Sequence, residues 1–446
     1  MPAKTVRTEL TSGAIEGFTR DGVNRWRSIP YAKPPVGALR FKAPPAGRSV
    51  GRVRPCHRFR YCAPQPPRRY TIVGPGKFQP MSEDCLTLNV VAPDGGSDRP
   101  LPVMFFIHGG GAYFLGSSAT PIYDGASLAR SGCVYVSTNY RLGALGGAVD
   151  LSSLSTADIH IDDNLYLRDL VSALRWVREN IAAFGGDPDN VTIFGESAGA
   201  HAVTTLLAVP AAKGLFAQAI SQSPAGALSR SQELAAEFAA KFASILCADE
   251  REPARLLLAA RPAQLVNAFD RLLTTSASDL AGGYPVGCTF GTDYLPSEPI
   301  QAMRDGKAYR VPLIVGTNAD EGRLFTRFLK LLPTNEAKIE ALLAGAEPTC
   351  RERITAAYPE YPAPDACIRL GGPTSHSDRH CGSSRIPTVG TPPPHICTAM
   401  TSPRELCNGP GWVPPMRRSF LRCSTPTARR SVGYSAPEPI AARPYA

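Results

Sequence analysis

The stretch VTIFGESAGAHAVTTLLA, Val191–Ala208, changes character in its middle. VTIF is short, apolar and rich in β-branched residues, as a buried strand should be, whereas HAVTTLLA is compatible with a helix. Between them lies GESAG, Gly195–Gly199. A G-x-S-x-G run between a strand and a helix is the sequence form of a nucleophile elbow, in which small flanking residues permit a strained turn that projects the serine hydroxyl into a cleft. Ser197 is therefore the candidate nucleophile.

A serine that attacks a carbonyl builds negative charge on the carbonyl oxygen, so the site needs N–H donors fixed where that oxyanion will sit. Upstream, the apolar run VMFFI (103–107) ends in HGGG, His108–Gly111. Glycines let backbone approach a ligand without Cβ in the way. The expected donors are the amides of Gly110, Gly111 and Ala198.

Further apolar runs, CVYVST (133–138) and PLIVG (312–316), carry the same strand signature, with glycine-containing turns close behind most of them. Between CVYVST and VTIF, Leu167, Leu170, Leu174, Val177, Ile181 and Phe184 recur at three- and four-residue spacing. The FGGDP that follows supplies the stop, so this spacing predicts one amphipathic helix. Strands apolar on both faces and alternating with helices predict a mostly parallel sheet covered on both sides, an α/β fold.

Several collinear segments resemble the type-B carboxylesterases, a family that includes the cholinesterases and bacterial p-nitrobenzyl-type esterases. They are RSIPYAKPPVGALRFKAP, SEDCLTLNVVAP, FFIHGGGAYFLG, TNYRLGALGG, NIAAFGGDPDNVTIFGESAGA, GLFAQAISQS and VPLIVGTNADEGRLF, and they run from about residue 12 to about residue 370. The resemblance implies an α/β-hydrolase fold, hydrolysis of a small-molecule carboxylic ester through an acyl-enzyme on Ser197, and no metal or cofactor. It implies that Glu321 of DEG is the acid that orients the base, with Asp320 as runner-up, and that Ser223 of SQS has a supporting role. It also matches Cys62 and Cys85 to positions that form a disulfide in secreted relatives.

The N-terminal MPAKTVRTELTSG has no apolar run behind its lysine, and no segment offers about 18 uninterrupted apolar residues, so neither a secretory signal nor a membrane span is expected. On that reading the protein is cytoplasmic, and its twelve scattered cysteines, Cys62 and Cys85 included, are thiols. The net charge of +10 is concentrated at the end: residues 373–446 carry nine Arg and no Lys against three acids. That tail lacks the aromatic interleaving of a nucleic-acid-binding segment, so no nucleic acid is expected as a partner.

The base is missing. Seven histidines exist, and the role demands one that reaches both Ser197 and the acid. His108 belongs to the glycine-rich strand end, His201 points along the helix that Ser197 opens, and His57 and His160 precede the nucleophile, contrary to the chain order serine, acid, histidine. His376, His380 and His395 follow Glu321 but lack the Gly-Ala-x-His context the resemblance implies.

Composition changes after Leu370 to Pro, Ser, Gly and Arg, giving an expected hydrolase body over residues 1–370 and a disordered, non-family tail over 371–446. At GWVPPM, Gly411–Met416, the codons of Trp and Met allow partial back-translation. Read two bases out of register, it permits Leu-Gly-Ala-Thr-His, which resembles the family's histidine motif. The same displacement gives an obligatory Asp at Met400–Thr401, where a Tyr-Asp-Phe strand is implied. The expectation is a reading frame displaced near Gly371–Pro373, with the last strands and closing helix lost and a sheet edge left unpaired. The competing reading is a non-catalytic binding protein on a hydrolase fold.

Overall fold

A computed structural model describes residues 4–47, 52–66, 72–74, 77–110, 116–226, 228–247, 252–279 and 285–318, short pieces between 336 and 367, and Cys397–Ala399. All of them fall within one compact unit, Met1–Thr401.

The centre is a sheet whose strands are β1 (Lys4–Leu10), β2 (Gly13–Arg20), β3 (Val23–Pro30), β4 (Thr87–Pro93), β5 (Leu101–Ile107), β6 (Val134–Thr138), β7 (Gly186–Glu196), β8 (Gln218–Gln222), β9 (Leu313–Gly316) and β10 (Cys397–Ala399). They lie in the order β1-β2-β3-β4-β6-β5-β7-β8-β9-β10, with Arg54–Pro55 pairing beside β2. From β6 onward every pairing is parallel, as the apolar runs predict. The first four strands instead form an antiparallel meander that joins the parallel part through β4 and β6. Its β2–β3 hairpin turns at Asp21-Gly22, both with left-handed φ (54° and 74°), the pairing a tight two-residue turn demands.

Helices cover the sheet. Among them are α1 (Ala126–Arg130), α2 (Leu165–Asn180) and α3 (Ala198–Leu206). The predicted helix is α2, and its stripe Leu167, Leu170, Leu174 and Val177 is fully buried, each side chain contributing roughly 1.5–3 kcal/mol. Ile181 and Phe184 continue the stripe in a 3₁₀ turn that ends at Gly185, φ 80°. The same helix buries Asp169, whose carboxylate accepts from the Arg141 backbone N–H (3.0 Å), Nε (2.8 Å) and a terminal guanidinium nitrogen (2.7 Å). A buried pair of this kind fixes the segment after β6 beneath the strand ends.

One expectation is corrected here. The sequence predicts no strand beyond β9, yet Cys397–Ala399 pairs in parallel with Ile314–Gly316. Backbone groups along an open edge accept any chain that can extend, whatever its side chains. The added strand is only three residues long, and Ile314 of β9 remains 46% exposed. The other residues from 368 to 446, including His376, His380, His395 and Gly411–Met416, lie outside the described residues.

Candidate active site

Register places the site. In the parallel half, Gly195 of β7 lies opposite Ile107 of β5 and Ser221 of β8, and Gln222 lies opposite Gly316 of β9. The carboxyl ends of four strands therefore lie side by side, at the edge of the sheet where open α/β folds bind ligands. Ser197, Gly109, Ser223 and the start of the segment leading to Glu321 all emerge there.

Ser197 sits at the tip of the β7–α3 connection with φ 57° and ψ −120°, a region that costs about 1–3 kcal/mol for a residue with a side chain. The surroundings hold it. Its N–H donates to the Gln222 carbonyl (2.9 Å), and its carbonyl accepts from the His201 N–H (2.9 Å). The flanking glycines answer to close approach: a Cβ at Gly199 would collide with the Ile107 carbonyl oxygen, and one at Gly195 would come within 2.6 Å of the Gly199 backbone. Strand, elbow and helix fit only because both positions are bare.

The glycine-rich strand end lies against this tip. A Cβ at Gly109 would stand 2.5 Å from the Glu196 carbonyl oxygen and 3.3 Å from the Ser197 Cβ, so the backbone of Gly109 packs directly on the elbow. Gly110 follows with φ 135°. Ala198 is the first residue of α3, and its amide has no intrahelical acceptor. Ser197, Ala198 and the Gly109 backbone thus meet at one end of the sheet, and Gly110 continues the chain from Gly109. Gly111 lies outside the described residues, as do Glu321 and Asp320.

The family model described as the Carboxylesterase family matches residues 2–344. The chain belongs to the carboxylesterase family. It is 44% identical over 314 residues to the para-nitrobenzyl esterase of Bacillus subtilis (strain 168), an alignment covering 70% of this chain and 62% of that one. It is 36% identical over 369 residues to the fumonisin B1 esterase of Sphingopyxis macrogoltabida, covering 81% and 65%. The chain thus spans less than two thirds of the length of these relatives. Among solved structures, a thermophilic PNB esterase superposes with a TM-score of 0.73 at 38% identity, over 82% of this chain and 73% of the other. A carboxylesterase of Geobacillus stearothermophilus gives 0.69 at 34% identity, over 82% and 73%.

The described histidines of this chain are engaged elsewhere. His108 is buried under the glycine strand end, with Nδ1 2.8 Å from the Gly109 carbonyl and its ring stacked 4.5 Å from that of Tyr140. The Tyr140 hydroxyl donates to the His108 carbonyl at 2.7 Å, pinning the strand end from below. His201 is buried in α3 with Nε2 3.5 Å from Thr205 Oγ1, one turn along its own helix. Burial lowers both imidazoles, His108 to about 4 and His201 to about 3, the latter helped by the charge of Arg230. His57 and His160 face Glu16 and Asp162 at 3.1 and 2.9 Å.

Three further residues implied by the resemblance are Ser223, Cys62 and Cys85. Ser223 has φ 56°, donates its N–H to the Gly316 carbonyl (2.7 Å), and receives the Asn318 side-chain amide at 3.4 Å. It therefore ties the elbow to the strand end from which the DEG segment departs. Cys62 and Cys85 are both buried free thiols. Burial pushes Cys62 up to about 12, and burial followed by the nearby Asp169 carboxylate raises Cys85 well above the ordinary thiol range. Among the described residues no helix is long and apolar enough to cross a membrane.

Residues that the sequence did not single out also hold backbone near the elbow. Gln65, in CAPQP, pairs by its side-chain amide with the backbone of Gly116, and Gln79 Oε1 accepts from Ser117 Oγ at 2.5 Å. Neither sits in a recognisable pattern, because each partner is remote along the chain.

Proposed function

We propose that this protein is a cytoplasmic carboxylic ester hydrolase acting through an acyl-enzyme on Ser197. Ser197 Oγ bonds to the ester carbonyl carbon while the carbonyl π pair moves onto oxygen. The amides of Gly110, Gly111 and Ala198 stabilise that oxyanion. Collapse expels the alkoxide, and water then releases the acid. Glu321 is the carboxylate that would orient a histidine base, and Ser223 supports the elbow. The packing of the Gly109 backbone on a strained Ser197 is the observation that carries this reading, since amide donors and nucleophile must meet for acyl transfer.

The histidine is the part that the chain as written lacks. In this reading, residues 1–370 form the hydrolase body, and residues 371–446 are the product of a reading frame displaced near codon 372. None of the described histidines is free to take the Ser197 proton, so that proton goes to solvent. Loss of one triad member costs about 10⁴ to 10⁶ in turnover, leaving what the oxyanion donors and binding supply.

Hydrolysis of a p-nitrophenyl ester by the full chain, followed against pH, tests this. The expected outcome is slow, Ser197-dependent turnover that rises continuously with pH, with no plateau above an imidazole pKa of about 6.5. Fast turnover with such a plateau contradicts the missing base, and turnover undiminished by Ser197→Ala contradicts the nucleophile. The nucleotide sequence tests the frame: an alternate frame near codons 411–416 without a Gly-small-small-His run overturns the displacement.

A further inference from the structure

We infer that Gln65 is a positioning residue for the oxyanion-binding backbone, an inference that rests on the ester-hydrolase reading above. Its side chain makes a two-point bridge to one backbone unit: Nε2 donates to the Gly116 carbonyl at 2.9 Å, and Oε1 accepts from the Gly116 N–H at 2.8 Å. The pairing mimics a strand ladder and is fully buried, with Gln65 4% exposed. Nε2 also donates to the Ala63 carbonyl at 3.1 Å, which fixes the amide plane and prevents its rotation.

Gly116 in turn touches the strand end. With φ 120°, it lies so close that a Cβ there would stand 2.5 Å from His108 Nδ1 and 2.6 Å from the Gly109 carbonyl oxygen. That carbonyl is the one His108 Nδ1 already contacts. Gly109 packs on Glu196 and Ser197. The sequence of contacts is therefore Gln65 to the Gly116 backbone, Gly116 to the His108 ring and the Gly109 carbonyl, and Gly109 to the Glu196 carbonyl and the Ser197 Cβ. The next residue is braced in the same manner: Ser117 Oγ donates to Gln79 Oε1 and accepts the Ala119 N–H, and Gln79 Nε2 donates to the Arg60 carbonyl. One loop, residues 60–65, and the amide at 79 thus hold the far stem of the segment that begins at Gly109.

A backbone donor works only if it is fixed before charge develops, and a misplacement of about 1 Å can cost a hundredfold in rate. Gln65 does not touch the reacting atoms and acts only through Gly116. Its removal should slow the chemical step and leave ligand binding unchanged.

The test uses the full chain and a fluorophosphonate, which forms an Oγ–P bond on Ser197 as the P–F bond breaks, with fluoride leaving and the proton passing to solvent. The inactivation rate constant and KI are measured for wild type, Gln65→Met, which keeps the side-chain length without the amide, and Gln65→Glu, whose carboxylate cannot donate to the Gly116 carbonyl. Amide hydrogen exchange is followed on the same proteins. The expected result is an inactivation rate constant about tenfold to a hundredfold lower in both variants with KI changed less than about twofold. Faster exchange should be confined to Gly109, Gly110 and Gly116. An unchanged rate constant, unchanged exchange at Gly116, or exchange accelerated throughout the chain overturns the inference. Failure of the wild type to be phosphonylated sinks the nucleophile reading instead. Hydrogen exchange then decides alone: local acceleration upholds Gln65 as the anchor of that backbone, and its absence rejects it.

Discussion

The two halves of the candidate site are built differently. The proposed nucleophile and its proposed amide donors come from strand ends and a helix start whose positions follow from register, with Gly195 opposite Ile107 and a bare Gly199 beneath the Ile107 carbonyl. The proton-carrying half needs an imidazole brought from far along the chain, and the four described histidines serve other contacts. Backbone-made chemistry is secured by the same packing that makes the fold, whereas side-chain chemistry depends on a distant segment arriving intact. A lesion late in the sequence can therefore remove the base and leave the elbow standing.

The comparison breaks most visibly in turnover. Ser197→Ala should take residual ester hydrolysis to the uncatalysed background, while replacing His108 or His201 by Gln should lower it through structure alone, without changing its pH dependence. If either histidine variant removes the pH dependence, that imidazole is the base and the contrast between the halves disappears. Next comes the support beneath the strand ends. Asp169→Asn leaves the Arg141 guanidinium buried without its counter-charge and should cost about 3–5 kcal/mol in urea unfolding. Gly199→Ala sets a methyl against the Ile107 carbonyl and should cost about 3 kcal/mol, with loss of Ser197 reactivity. A Gly199→Ala protein of wild-type stability would show that the elbow is not packed as described.

The effect furthest from the reacting atoms is on acid stability. Unfolding frees His108 and His201 to take up protons near pH 6.5, whereas folded they resist protonation until about 4 and about 3. The unfolded state binds more protons in that window, so stability is complete above it and falls as pH drops from 6.5 toward 4. A Tm several degrees lower at pH 4.5 than at pH 7 is expected, with the drop reduced in His201→Gln. A flat Tm over that range contradicts the burial of these imidazoles.

Much of the backbone half was legible because geometry there dictates residue type. Only glycine fits at 195, 199 and 109, so G-x-S-x-G and HGGG carry their meaning locally. The stripe of α2 was equally legible from its spacing. The antiparallel meander carries a weaker signal, although Asp21-Gly22 announces a hairpin, because its first two strands are half-exposed and form no apolar run. Gln65 left no signal, since its partner Gly116 is 51 residues away and any amide looks alike in sequence. The short strand Cys397–Ala399 left no signal because it lies in a Pro-, Ser- and Arg-rich stretch without an apolar run.

The most direct measurement is mass spectrometry of the folded chain after incubation with a p-nitrophenyl ester. In the proposed mechanism the lost base slows release of the acyl group as well as its arrival, so an acyl adduct should accumulate and map to Ser197, and it should vanish when the protein is unfolded before labelling. An adduct spread over other nucleophiles, or none at Ser197 while ester is still consumed, would contradict the account.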